Sequence, residues 1–206
     1  MVPNVTIINT GTLSMNRYWG ETERLREPSA TCTLIEAGDI CLLVDPSPQP
    51  KQLAAMLFAA RGIRPDAVDM IFLTHFHGDH RFGLELFPHA RMYMAQKGID
   101  EWAASAAASE AALIDRFGAA EGNLPRGVEL LATPGHTMAH HSLVVDTDRG
   151  GLLVAGDAVM TRDFLREEAG FHNSVDFERA SDTIRGIKAS FDLIIPGHDS
   201  LLVIKS

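Results

Sequence analysis

Residues 75–80 read His75-Phe76-His77-Gly78-Asp79-His80: three imidazoles and a carboxylate in six positions, directly after the apolar run Met70-Ile71-Phe72-Leu73-Thr74. These are the ligands that borderline divalent cations prefer. Side chains two apart in an extended segment point the same way, so His75 and His77 can grip one ion together. Gly78 lets the chain turn, which aims Asp79 and His80 at a neighbouring position. Imidazoles this crowded would repel one another as cations, whereas a metal holds them neutral. The competing reading is a tract of solvated surface histidines.

The downstream sequence weighs against that reading. Leu130-Leu131-Ala132-Thr133-Pro134-Gly135 ends at His136, Leu152-Leu153-Val154-Ala155-Gly156 at Asp157, and Leu193-Ile194-Ile195-Pro196-Gly197 at His198. Four times an apolar, strand-like run delivers a ligand-type residue. Glycine beyond a strand end lets the backbone bend sharply and approach a bound group. Binding sites in sheet proteins gather where strand ends meet their loops.

The run Thr74–His80, followed by Thr133-Pro134-Gly135-His136-Thr137, Gly156-Asp157 and Pro196-Gly197-His198, resembles the metallo-β-lactamase superfamily. The resemblance implies an αββα sandwich, two packed mixed β-sheets with helices on the outer faces. It also implies two divalent metal ions, zinc first, with iron or manganese left open. His75, His77 and His136 would hold one ion, Asp79, His80 and His198 the second, and Asp157 would bridge both. Two dications about 3.5–4 Å apart can share a water and keep it as hydroxide at neutral pH, ready to attack a carbonyl or phosphoryl centre. Asp79 is the candidate catalytic residue, orienting that hydroxide or passing a proton to the leaving group.

Within the resemblance, Asp157 argues against destruction of β-lactams, since such enzymes commonly lack an Asp at the bridging position. It points to the thioesterase, lactonase and phosphodiesterase branches. Glutathione thioesterases of the group carry an added C-terminal helical domain, whereas this chain stops soon after His198. RNA-processing branches use inserted domains or arms that are missing here. Diiron flavoproteins usually replace the second His with Glu, so His77 favours zinc-type hydrolysis. The expected activity is hydrolysis of a small ester, thioester or lactone. The alternatives are a mononuclear iron sulfur dioxygenase, a phosphodiesterase on the same site, or a metal-bound binding module.

Composition fits one enzyme domain spanning 1–206, with hydrophobic residues at 46% and charged residues at 22%. No apolar stretch is long enough to span a bilayer, and the start lacks the basic region of a signal peptide. A net charge of −9 argues against nucleic acid or an anionic membrane as partner. A small-molecule substrate is the expected partner, and a homodimer stays open. In a hairpin around Ala37-Gly38-Asp39, Cys32 and Cys41 fall several residues out of register, too far apart for a disulfide. Two free thiols fit a reducing cytoplasm.

The pattern predicts strands at 5–9, 31–36, 40–45, 70–74, 91–95, 128–132, 141–145, 152–155, 193–196 and 201–204. Helices are expected at 50–61, with Leu53, Met56, Leu57 and Ala60 on one face, and at 176–190, with Phe177, Ala180, Ile184 and Ile187 inward. The Ala-rich run 102–112 reads as one continuous helix. Two connections read as substrate-facing. The segment 14–29 offers Tyr18 or Trp19 as an apolar wall, and 160–175 offers Arg162 or His172 for an anionic group. His140 is expected to support His136, and Asp199 to orient His198 or a nearby basic group.

Overall fold

The computed structural model describes residues 2–204; Met1, Lys205 and Ser206, the ends of the expected 1–206 domain, lie outside the described residues. Among the described residues, eleven strands form two sheets. The first contains β1 (Asn4–Asn9), β2 (Cys32–Ala37), β3 (Ile40–Val44), β4 (Met70–Phe72), β5 (Arg91–Met94) and β6 (Phe117–Ala119), paired in that order. Its first three strands are antiparallel, and β3 through β6 are parallel. The second contains β7 (Val128–Ala132), β8 (His141–Thr147), β9 (Gly150–Gly156), β10 (Leu193–Pro196) and β11 (Leu202–Val203). It is antiparallel except where β10 runs parallel to β9.

Alternation along the strands explains the layering, because successive side chains leave opposite faces of a sheet. Leu42, Val44, Met70 and Phe72 face Leu143, Val145, Leu152, Val154, Leu193 and Ile195 between the two sheets. Their neighbours Leu43 and Ile71 point outward, onto Leu53 and Leu57 of α1 (Pro50–Arg61), Trp102 of α2 (Gln96–Ser105) and Ile114 of α3 (Ala111–Ile114). On the far side, Leu153, Ala155 and Ile194 meet Leu165 of α4 (Arg162–Glu167) and Ile184 and Ile187 of α5 (Phe177–Ser190). The result is the expected αββα sandwich of two mixed sheets with helices outside. No helix among the described residues is long and apolar enough to cross a membrane.

Several expectations need correcting. The Ala-rich run is not one helix: α2 starts earlier and ends at Ser105, Ala106 is extended, and α3 begins at Ala111. The break returns Leu113 and Ile114 to the core, a tertiary gain that outweighs alanine's local preference. Phe177 and Ala60 lie on the exposed sides of their helices. Strand β6 and helix α4 lack a predicted counterpart. Cys41 lies opposite Glu36 and both cysteines are free thiols, as the register argument requires. Phe72 is fully buried between the sheets. Phe72→Ala should cost about 3–5 kcal/mol, read as a lowered midpoint in urea unfolding.

Candidate metal centre

Four strand ends and one turn converge at one edge of the sandwich. Beyond β4, Leu73 and Thr74 lead to His75 and His77, and the helical turn Gly78–His80 presents Asp79 and His80. His136 follows β7, Asp157 follows β9 and His198 follows β10. The donor atoms fall into two groups, His75, His77, His136 and Asp157, and Asp79, His80 and His198, with members of each group within 4.8 Å of one another. All seven expected ligand positions therefore meet in one place. Close approach depends on Gly197, where a Cβ would lie 2.1 Å from Asp157 Oδ1. Gly156 supplies the turn into Asp157 at φ 53°, a region open to glycine without steric cost.

The supporting hydrogen bonds fix which ring nitrogens carry protons. Asp45, buried just past β3, accepts from the Thr74 amide and hydroxyl and from His80 Nδ1, each at 2.9 Å. Thr74 spends its only hydroxyl proton on Asp45, so it must accept from His75 Nδ1 at 3.1 Å. His198 Nδ1 donates to the Ser29 carbonyl at 2.9 Å. Each of these three rings therefore turns Nε2 toward the centre, free of a structural proton when the ring is neutral. His77 enters by Nδ1, which lies 2.9 Å from His75 Nε2 and 3.0 Å from His136 Nε2. Three ring nitrogens facing one another cannot all be satisfied by shared protons, but together they can point lone pairs at one cation.

Asp157 divides its carboxylate between the groups. Oδ2 lies 3.3 Å from His136 Nε2 and 3.8 Å from His75 Nε2, while Oδ1 lies 3.1 Å from His80 Nε2 and 3.2 Å from His198 Nε2. His80 Nε2 and Asp157 Oδ1 are buried without an aligned hydrogen-bond partner, so both are aimed into the space between the donors rather than at each other. Burial holds His75 well below the usual histidine range and His136 at about 4, and also lowers His77. Burial opposes charge on His80 and His198 most strongly, but the neighbouring carboxylates together outweigh it, Asp157 with Asp45 at His80 and Asp157 with Asp79 at His198, so both are raised. Burial would raise Asp157, yet His80 and His198 carry it well below the carboxylate range. The three imidazoles of the first group are thus neutral and ready for a cation near pH 7, with Asp157 supplying negative charge, and in the second group His80 and His198 favour protons that a cation must displace.

A family model described as the metallo-beta-lactamase superfamily matches residues 25–198. The chain belongs to that superfamily. It is 33% identical to "Metallo-beta-lactamase domain-containing protein 1" of Xenopus laevis over 181 residues, covering 84% of this chain and 72% of the relative. It is 29% identical to an N-acyl homoserine lactonase of Bacillus cereus, covering 67% of this chain and 58% of that protein. A solved quorum-quenching N-acyl homoserine lactone lactonase superposes with a TM-score of 0.73 at 25% identity, over 97% of this chain and 93% of that one.

In this superfamily member His77, Asp79, His136, Asp157 and His198 floor a cleft of about 300 Å³. Its apolar wall is Leu13, Met15, Met160 and Phe171, and its polar rim includes Ser14, Arg24, His172 and Asn173. The expectation for Tyr18 and Trp19 is corrected, since neither lines the cleft. Tyr18 packs edge-on against Phe164 at 4.9 Å, and Trp19 Nε1 donates to Asp163 Oδ2 at 3.0 Å. Arg162 is committed to Asp199 at 2.8 Å, outside the cleft; Asp199 orients this arginine and not the His198 ring. His172 does line the cleft. His140 bonds to Thr133 at 2.8 Å and packs 5.1 Å from the His75 ring, with no hydrogen bond to His136. The sequence reading missed Asp45, although Asp45-Pro46 after the apolar Ile40–Val44 repeats the same strand-end pattern.

Asp45→Asn keeps the shape but breaks the proton order on His75 and His80. It should cost roughly 10–100-fold in metal affinity, measured by competition with a chromophoric chelator. Adding a divalent cation to metal-free protein near neutral pH should release protons from His80 and His198, and affinity for the second group should fall as pH falls. A pH-stat titration that registers no release would show those rings already neutral.

Proposed function

We propose that this chain is a binuclear metal-dependent hydrolase acting on a small ester, thioester or lactone. The carboxylate of Asp157 carries this reading, because each of its oxygens faces a different set of imidazoles at 3.1–3.8 Å. A carboxylate so divided suits a bridge between two cations, with His75, His77 and His136 holding one and Asp79, His80 and His198 the other. The all-imidazole-and-carboxylate donor set suits zinc. Bound there, such a pair would supply an activated water near neutral pH and offset negative charge developing on a substrate carbonyl.

The chain's own side chains do the remainder. Leu13, Met15, Met160 and Phe171 shield the floor from bulk water, which strengthens electrostatic interactions there. Asp79 opens to the cleft, with Oδ2 3.7 Å from His198 Nε2, and so can carry a proton between the reacting atoms and a leaving group. Similarity to N-acyl homoserine lactonases supports the lactone among the three substrate types. Those relatives are longer than the part matched, so acyl-chain preference is left to experiment.

Freshly purified protein should contain about two zinc ions per chain and hydrolyse at least one of a panel of lactones, thioesters and esters. Chelation should abolish turnover and zinc restore it. His77→Ala and Asp157→Ala should lower both metal content and activity. One iron per chain with oxygen uptake on a persulfide, or full activity in either variant, would overturn the reading.

A further inference from the structure

Three arginines sit on the segment between β1 and β2, and two are occupied in holding it. Arg17 donates to the Tyr18 hydroxyl at 2.7 Å and lies over the Phe164 ring. Arg26 pairs with Glu21, donates to the Leu13 carbonyl at 3.0 Å and lies over the Trp19 ring. Arg24 lines the cleft and makes no hydrogen bond, ion pair or ring contact with any described residue. Among the described residues it is the sole Lys or Arg on the cleft wall, and the carboxylates there, Asp79 and Asp157, face the imidazoles.

We propose that Arg24 is a specificity-determining residue that recognises a carboxylate carried by the substrate, at a distance from the bond that is cleaved. The inference rests on the hydrolase reading of the same cleft. A chain of net charge −9 repels small anions, and beyond the two dications proposed at the floor Arg24 adds a cation at the rim, away from the reacting atoms. A guanidinium offers the planar fork that matches a carboxylate. Its carrier is anchored: Asn16 is fully buried and donates to Asp163 at 3.3 Å, and Thr12 and Ser29 exchange main-chain hydrogen bonds at 2.8 and 3.0 Å. Little backbone freedom is then lost on binding. His172 and Asn173 line the same cleft and add polar partners for the rest of the molecule. The substrate this describes is bifunctional, an acyl group at the floor and a carboxylate at the rim.

The test compares glutarate with pentanoate, which differ by one carboxylate, binding to the metal-loaded protein in a calorimeter. The wild type should bind glutarate roughly tenfold tighter. In Arg24→Gln that gap should close with pentanoate affinity and melting temperature unchanged, and Arg24→Lys should keep part of it. In turnover, p-nitrophenyl hemiglutarate should show a lower KM than p-nitrophenyl pentanoate at equal kcat, and Arg24→Gln should erase the difference. Equal affinities in the wild type, or a gap that survives in Arg24→Gln, would overturn the proposal. An Arg24-dependent preference for glutarate without turnover of any lactone, thioester or ester in the panel would uphold the anion site and remove the hydrolase reading.

Discussion

The centre depends on one buried carboxylate that touches no substrate. Asp45 occupies the left-handed backbone region at φ 48°, a conformation that costs a non-glycine residue about 1–3 kcal/mol. Three hydrogen bonds to its charged oxygens, each contributing roughly 1.5–3 kcal/mol, outweigh that cost. Through them Asp45 fixes the proton on His80 directly and that on His75 by way of Thr74. Without this order either ring could turn its protonated edge to the centre, and the convergence of lone pairs would be lost.

The donors come from both sheets. His75, His77, Asp79 and His80 follow the first sheet, whereas His136, Asp157 and His198 follow the second. Neither half makes a complete pocket, and Asp157 reaches its partners only while the layer around Phe72, Leu143 and Val154 keeps the sheets in register. That packing is dense and apolar, so it resists the small shifts that would separate donors about 3 Å apart. Gly197 and Gly156 then bring the two backbones closer than side chains would permit.

Much of this was legible in the sequence. Helix α1 and the strands that meet at the floor announce themselves by apolar periodicity and by Gly or Pro at their ends, and the ligand-type residues follow those runs. What stayed hidden is set by neighbours distant in the chain. Asp45 is an ordinary acidic residue until Thr74 and His80 fold against it. Helix α4 is six residues long and charged, and its core contribution depends on contact with β9 and β10. Tyr18 and Trp19 have the composition of a binding wall, but Phe164 and Asp163 claim them. Strand β6 is three residues with a central glycine, too short for any period to emerge.

The segment from residue 12 to residue 29 closes on itself through paired main-chain bonds, yet its base is not independent of the floor. The Ser29 carbonyl receives the His198 ring, and the Thr12 carbonyl lies 3.2 Å from the same nitrogen. Its middle is held as firmly, with Asn16 and Trp19 both donating to Asp163, so a change of length at either place would pull on the floor. A loop tied at its root and at its middle passes a change in its own backbone on to the floor instead of absorbing it.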